Sequence, residues 1–225
     1  MGEVQCCAKK TFLKKLVLFG AGGMGREVAI LVGYINSVNP TFDLCGYIVD
    51  DEYYQDGCMV NGLPMLGTIA WLVEHRDECC CALCIGDPKA RLAVFNRLEE
   101  LGIELATLIS PDVYIDSSVN VGAGTIISAR CLVSPNVGIG DGVFLNTDVA
   151  IGHDTIIQRC ATLYPRSQIS GDCVIGEAAQ IGSCSFLSSG VKIGDGAVVA
   201  PLSAVYCKVK ANTHVIGNPA HRISL

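Results

Sequence analysis

His153 and Asp154 stand side by side in the run Gly-His-Asp. An imidazole titrates about neutral pH and can take a proton from a nucleophile, and a carboxylate next to it can orient the ring. A plain surface turn is the other reading, because Gly-Asp pairs recur at Gly140-Asp141 and Gly194-Asp195. A second group is the run Gly20-Ala21-Gly22-Gly23-Met24-Gly25, which follows the apolar stretch Leu16–Phe19. A glycine turn between a strand and a helix offers free backbone amides to a phosphate. Asp50 arrives near the place where a dinucleotide site puts its acidic residue. The stretch that holds it has room for only half a dinucleotide fold, so a nucleotide sugar or sugar phosphate fits better than NAD. A structural glycine turn remains the simple alternative. The third group is the cysteines: thirteen in all, with Cys79, Cys80, Cys81 and Cys84 clustered. No second pair at ligand spacing follows this C-x-x-C, so the cluster reads as a buried strand and no metal is expected.

These residues need elements to carry them. Every sixth residue from Ile115 to Val205 is Val, Ile or Leu, without a slip. Two positions earlier in each hexad stands a small or β-branched residue, such as Thr125, Val143, Ala161 or Ser185. Glycine often follows the aliphatic residue, as at Gly122, Gly140, Gly152, Gly176, Gly182 and Gly194. The period implies short strands with the aliphatic residue inward, three to a triangular coil, stacked as a parallel β-helix of about five coils. The glycine is expected to serve the turn, where a positive φ is cheap. Cys131, Cys160, Cys173 and Cys184 fall at or beside the inward positions and read as packing. His153 is the one histidine within the coils, two residues past Ile151, at an outward corner.

Ahead of the repeat, strand and helix signals alternate. Met24, Val28, Leu31, Val32 and Ile35 share a helical face, Gly46–Val49 ends in Asp50-Asp51, and Cys81–Ile85 ends in Gly86-Asp87-Pro88. Asp87 suits an N-cap and Pro88 the first helical position. The expected organisation is a tail (1–14), an α/β half-Rossmann domain (15–108), a β-helix (109–207) and a C-terminal extension (208–225).

Composition bounds the rest. Half of the 225 residues are apolar, yet no apolar run approaches the roughly 18 residues of a membrane span. The apolar surplus must be buried in a core or between subunits. A formal charge of −6 argues against a nucleic-acid partner. The N-terminal run lacks the features of a signal peptide, so free thiols in a reducing cytoplasm are expected.

The order GAGGMGREV, GYIVDD, CIGDPKAR, an unbroken hexad repeat carrying NTDVAIGHD, then GNPAHRI resembles the sugar O-/N-acetyltransferases. These include sialic-acid O-acetylating and bacillosamine-type amino-sugar N-acetylating enzymes. The resemblance runs from Lys15 to Ile223 and implies a left-handed coil. It also implies acetyl-CoA-dependent transfer to an amino or hydroxyl group of a nucleotide-linked or sialic-acid-type sugar, as in polysaccharide biosynthesis, by a homotrimer. His153 then corresponds to the family's general base and Asp154 to its partner. The acceptor site maps onto Gly22, Gly23, Met24, Asp50, Asp51 and Gly86, and the acetyl-CoA groove onto Thr162, Gly171, Ser183 and Pro201. Lys208, Lys210 and Arg222 could meet CoA phosphates or be solvated surface charge. A larger residue at Gly22 or Gly23 is expected to strain the glycine turn and impair the acceptor. Two rivals differ in class: a non-catalytic sugar-nucleotide-binding scaffold, which the intact His153-Asp154 pair disfavours, and a β-helix carbonic anhydrase. The latter needs three histidine ligands, whereas His75, His214 and His221 lie outside the coils.

Overall fold

The computed structural model describes residues 13–223. The expected tail lies outside them except for Leu13 and Lys14. Strand β1 (Lys14–Phe19) pairs in parallel with β2 (Phe42–Ile48) on one side and β5 (Cys79–Leu83) on the other. Both neighbours are apolar and parallel, so β1 is buried from Leu16 to Phe19. A feature absent from the sequence expectation is an antiparallel hairpin, β3 (Met59–Val60) and β4 (Leu63–Gly67), whose second strand joins the sheet edge beside β2. Helix α1 (Gly23–Val38) buries Val28, Leu31, Val32 and Ile35, at the i, i+3, i+4, i+7 spacing of a single stripe. It stops ahead of Pro40, with Asn39 already extended. After α2 (Ile69–Glu74), helix α3 (Pro88–Glu100) starts as expected: Asp87 accepts from the Ala90 amide at 2.7 Å and Pro88 is the first residue.

The cysteine run is interior. Cys79 to Cys84 are all buried, and desolvation raises the Cys80 thiol to about 11 and raises Cys81 and Cys84 as well. Thiols held protonated in this way are packing groups.

From Leu108 onward the chain winds as a left-handed β-helix with three flat faces. The first face stacks strands from Tyr114–Ile115 to Ala204–Val205, and the second from Asn120–Val121 to Lys192–Ile193. The third runs from Leu108–Ile109 through Val198–Val199 to His214–Ile216, and the antiparallel strand His221–Ile223 closes it. Each strand pairs with the one 18 residues on, as Ala150 does with Gln168, and the second residue of each strand enters one continuous core.

The turns correct one expectation. The positive φ does not fall on the glycine after the aliphatic residue but three positions past that residue, at every sixth residue from Gly124 to Leu202; Asp148, Asp154 and Asp172 are examples. The glycine after the aliphatic residue answers a different constraint: a Cβ on Gly152 would lie 2.5 Å from the Gly171 nitrogen in the next coil. Close stacking excludes the side chain, and torsion does not. Some inward polar residues tie coils together, since the hydroxyls of Thr125, Thr155 and Ser185 donate to carbonyls 15 residues ahead. Cys131, Cys160 and Cys173 are buried as expected, but Cys184 is exposed at a turn tip.

The α/β unit covers the early coils of the third face. Leu108, Ile126 and Phe144 share a core cluster with α1 and β1, and Cys160 shares one with Phe95 and Leu98 of α3. Among the described residues no helix is long and apolar enough to cross a membrane.

Candidate active site

His153 stands at the corner between the first and second faces, where the backbone turns from Ile151 through Asp154 (φ +56°). The positive φ suits Asp154, because a short polar side chain tolerates the left-handed region better than most. His153 Nδ1 lies 2.7 Å from Asp154 Oδ2, with the two side chains 61% and 48% exposed. An ionised carboxylate only accepts, so the Nδ1–Asp154 bond has Nδ1 carrying the hydrogen and leaves Nε2 as the ring nitrogen that can accept one. The bonds from His153 and, next, from Asn136 hold the Asp154 carboxyl below its ordinary range. Asp154 therefore stays ionised where the ring needs an acceptor.

Two neighbours on the next coil complete the corner. Gly171 lies beneath the ring: a Cβ there would come within 2.7 Å of His153 Cε1 and Nε2. Asp172 brings its carboxylate near enough that one oxygen of it, one of Asp154 and a His153 nitrogen lie within 4.8 Å of one another. All three of these side chains are exposed.

The glycine turn forms a separate cleft of about 600 Å³, lined by Gly20, Gly22, Asp50, Glu52, Tyr53 and Ala90 among others. Gly22 is the N-cap of α1 and offers no side-chain cap, so the first amides of that helix are left for a ligand. The sequence expectation about strain is corrected here. Gly22 has a negative φ, and a Cβ on Gly22 or Gly23 would meet nothing. The obligatory glycines are Gly20, at φ +113°, and Gly25, whose Cβ would collide with the Gly20 carbonyl oxygen. Asp51, Gly23 and Gly86 are exposed, whereas Met24 is half-buried against the α1 core.

Of the expected groove residues, only Gly171 touches His153. Ser183 and Pro201 sit on consecutive coils of a different corner, between the third and first faces. Thr162 is buried, and its hydroxyl accepts from Arg91 Nη2 at 2.6 Å. Arg91 is the residue that sequence reasoning missed most completely. It is 1% exposed and among the described residues has no carboxylate in salt-bridge contact. Its Nε donates to the Gly142 carbonyl, Nη1 to Ile85, and Nη2 to Cys160 and Ala161 as well as to Thr162. Burial lowers its pKa, yet an arginine keeps its charge, and these oxygens satisfy it. Asn136 was also missed. Its signal was available, since it precedes Asp154 by one 18-residue coil.

Comparison with known proteins bears on this geometry. Residues 15–98 match the family model of the PglD N-terminal domain, and residues 109–211 match that of the GMPPB C-terminal domain. The acetyltransferase domain of PglB from Neisseria gonorrhoeae FA1090 superposes with a TM-score of 0.84 at 27% identity, over 93% of this chain and 100% of that one. The front-unit family model and this superposition together support a hexapeptide-repeat sugar acetyltransferase. Two other structures share the acetyltransferase's fold. PerB from Caulobacter crescentus, solved with CoA and GDP-perosamine, has a TM-score of 0.82 at 24% identity over 93% of this chain and 97% of its own. WeeI from Acinetobacter baumannii AYE has a TM-score of 0.82 at 24% identity, over 93% of this chain and 100% of its own. No curated protein matches the chain.

Proposed function

We propose that this acetyltransferase moves the acetyl group of acetyl-CoA onto the amino group of a nucleotide-linked sugar, with His153 as general base. The observation that carries the reading is the His153–Asp154 pair, which engages Nδ1 and leaves Nε2 to accept a proton at an exposed corner. The neutral amine attacks the thioester carbonyl and forms the new C–N bond. Nε2 takes the proton that the nitrogen must lose, and Asp154 stabilises the imidazolium through Nδ1–H. Collapse of the tetrahedral adduct breaks the C–S bond, and the imidazolium returns the proton to the departing CoA thiolate. The choice of donor and acceptor draws support from the PglB domain, solved with acetyl coenzyme A, and from PerB, solved with GDP-perosamine.

In this reading residues 15–108 hold the nucleotide, with its phosphates at the α1 amides, and the β-helix of residues 109–207 carries the chemistry. Ser183, Pro201 and the backbone of Gly171 line the acetyl-CoA groove, while Thr162 supports it from inside. The active form is a homotrimer. Ser183 and Pro201 stand at a different corner from His153, so a second copy brings the two corners together. The first face also supports this arrangement, because it leaves Tyr114, Leu132 and Phe186 exposed, with Phe186 close to Tyr206. The described cysteines are all free, in keeping with a reducing cytoplasm.

The test is incubation with acetyl-CoA and a panel of nucleotide-linked amino sugars, matched hydroxyl sugars and free sialic-acid-type sugars. Product mass and CoA release are read together. A mass gain of one acetyl group on an amino sugar supports the reading, and acetylation confined to hydroxyl sugars overturns the choice of acceptor group.

A further inference from the structure

Asp154 uses its two oxygens on different partners. Oδ2 faces His153 Nδ1 at 2.7 Å, and Oδ1 accepts from Asn136 Nδ2 at 3.0 Å. An exposed carboxylate held by one bond can swing between rotamers, and only one of these supports the ring. A second anchor from the coil below removes that freedom. Asn136 is itself fixed, because it occupies the positive-φ turn position (φ +60°) and its backbone amide donates to Ser118 Oγ at 2.8 Å. Ser118, Asn136 and Asp154 are therefore one column, spaced by 18 residues, with His153 at its working end.

We propose that Asn136 is a positioning residue for the reaction: it clamps Asp154 in the rotamer that aligns the His153 base. This rests on the role given to His153 above. The residue type matters for a chemical reason. An amide donates to the carboxylate without adding charge, whereas a carboxylate here would repel Asp154. Asp154 on its own turn and Asp172 on the next coil bring carboxylates to His153, and Asn136 is the neutral member of the Asp154 column.

The experiment measures kcat and both KM values for wild type, Asn136→Ala, Asn136→Asp, Asp154→Ala and the Asn136→Ala/Asp154→Ala double variant. Asn136→Ala should lower kcat about 3- to 10-fold, the range for one hydrogen bond in an exposed setting, with both KM values unchanged. In the Asp154→Ala background the same substitution should cost nothing further, because its partner is gone. Asn136→Asp, which keeps the size and loses the donor, should be at least as slow as Asn136→Ala. Equal losses in both backgrounds, or full activity in Asn136→Asp, would overturn the assignment and leave His153 as base. Full activity in His153→Ala would overturn both.

Discussion

Six residues separate two turns of the same coil, and their uses are opposite. At Asp154 and at Cys160 the backbone takes the same left-handed step (φ +56° and +53°). The first turn is open to solvent, and the hydrogen-bonded side chains of His153 and Asp154 there are about half-exposed. Such a pair adds little to stability, which leaves the imidazole free to exchange protons. The second turn lies under α3, where Arg91 is fully desolvated and saturated by oxygens of Ile85, Gly142, Cys160, Ala161 and Thr162. The coil geometry is indifferent to function. What packs over a turn decides whether its polar groups do chemistry or lock two units together.

The sharpest way to break the comparison is to remove the buried guanidinium. Arg91→Met strips the donors from several buried oxygens, so it should destabilise the protein by about 3 kcal/mol. That corresponds to a fall of roughly 6–12 °C in melting temperature for a chain of this size. A melting temperature unchanged by calorimetry would show that Arg91 is not the joint between α3 and the coils. A smaller loss is expected at Gly152→Ala, where the new Cβ meets the backbone of the next coil; about 1–3 kcal/mol follows from overpacking, read from a urea midpoint. Gly22→Ala should leave stability within about 0.5 kcal/mol, since its Cβ enters open space. Any loss at Gly22 should therefore appear in the acceptor's KM alone.

The β-helix was legible because an interior aliphatic residue is demanded at every sixth position, and nothing else produces that period. The turns were misread because glycine has two virtues. Positive φ was assumed, while at Gly152 and Gly182 the constraint is the approach of the next coil's backbone. His153 could be read as the lone imidazole of the hexad repeat, and Asp154 by adjacency. Asn136 could have been found by counting back 18 residues, once the coil length was known. Arg91 left no local trace, since an arginine on a short amphipathic helix reads as solvated. Its acceptors come from segments as many as 71 residues away in sequence, and only the tertiary packing reveals them.

The smallest expected effect concerns acid. Hydrogen bonds depress the carboxyl of Asp154, chiefly that from His153, and Arg130 depresses that of Asp148. A depressed folded-state pKa means that the stabilisation is present above the ordinary carboxylate range and fades as pH falls through the lowered value. Stability should thus decline slightly in that acid window, and less in high salt because these pairs are exposed. A melting temperature that rose on acidification there would contradict the assigned pairings.

The central claim is that the open corner performs the proton transfer. Its most direct test is steady-state acetyl transfer by His153→Ala beside wild type, with an acceptor from the panel above and with melting temperature measured on the same samples. The account predicts a kcat lower by roughly 10²–10⁴-fold, the usual effect of losing a general base. The melting temperature should stay within a degree or two of wild type, because the ring is exposed and its pair adds little to stability. Turnover within a few-fold of wild type would contradict the claim and move the chemistry away from this corner.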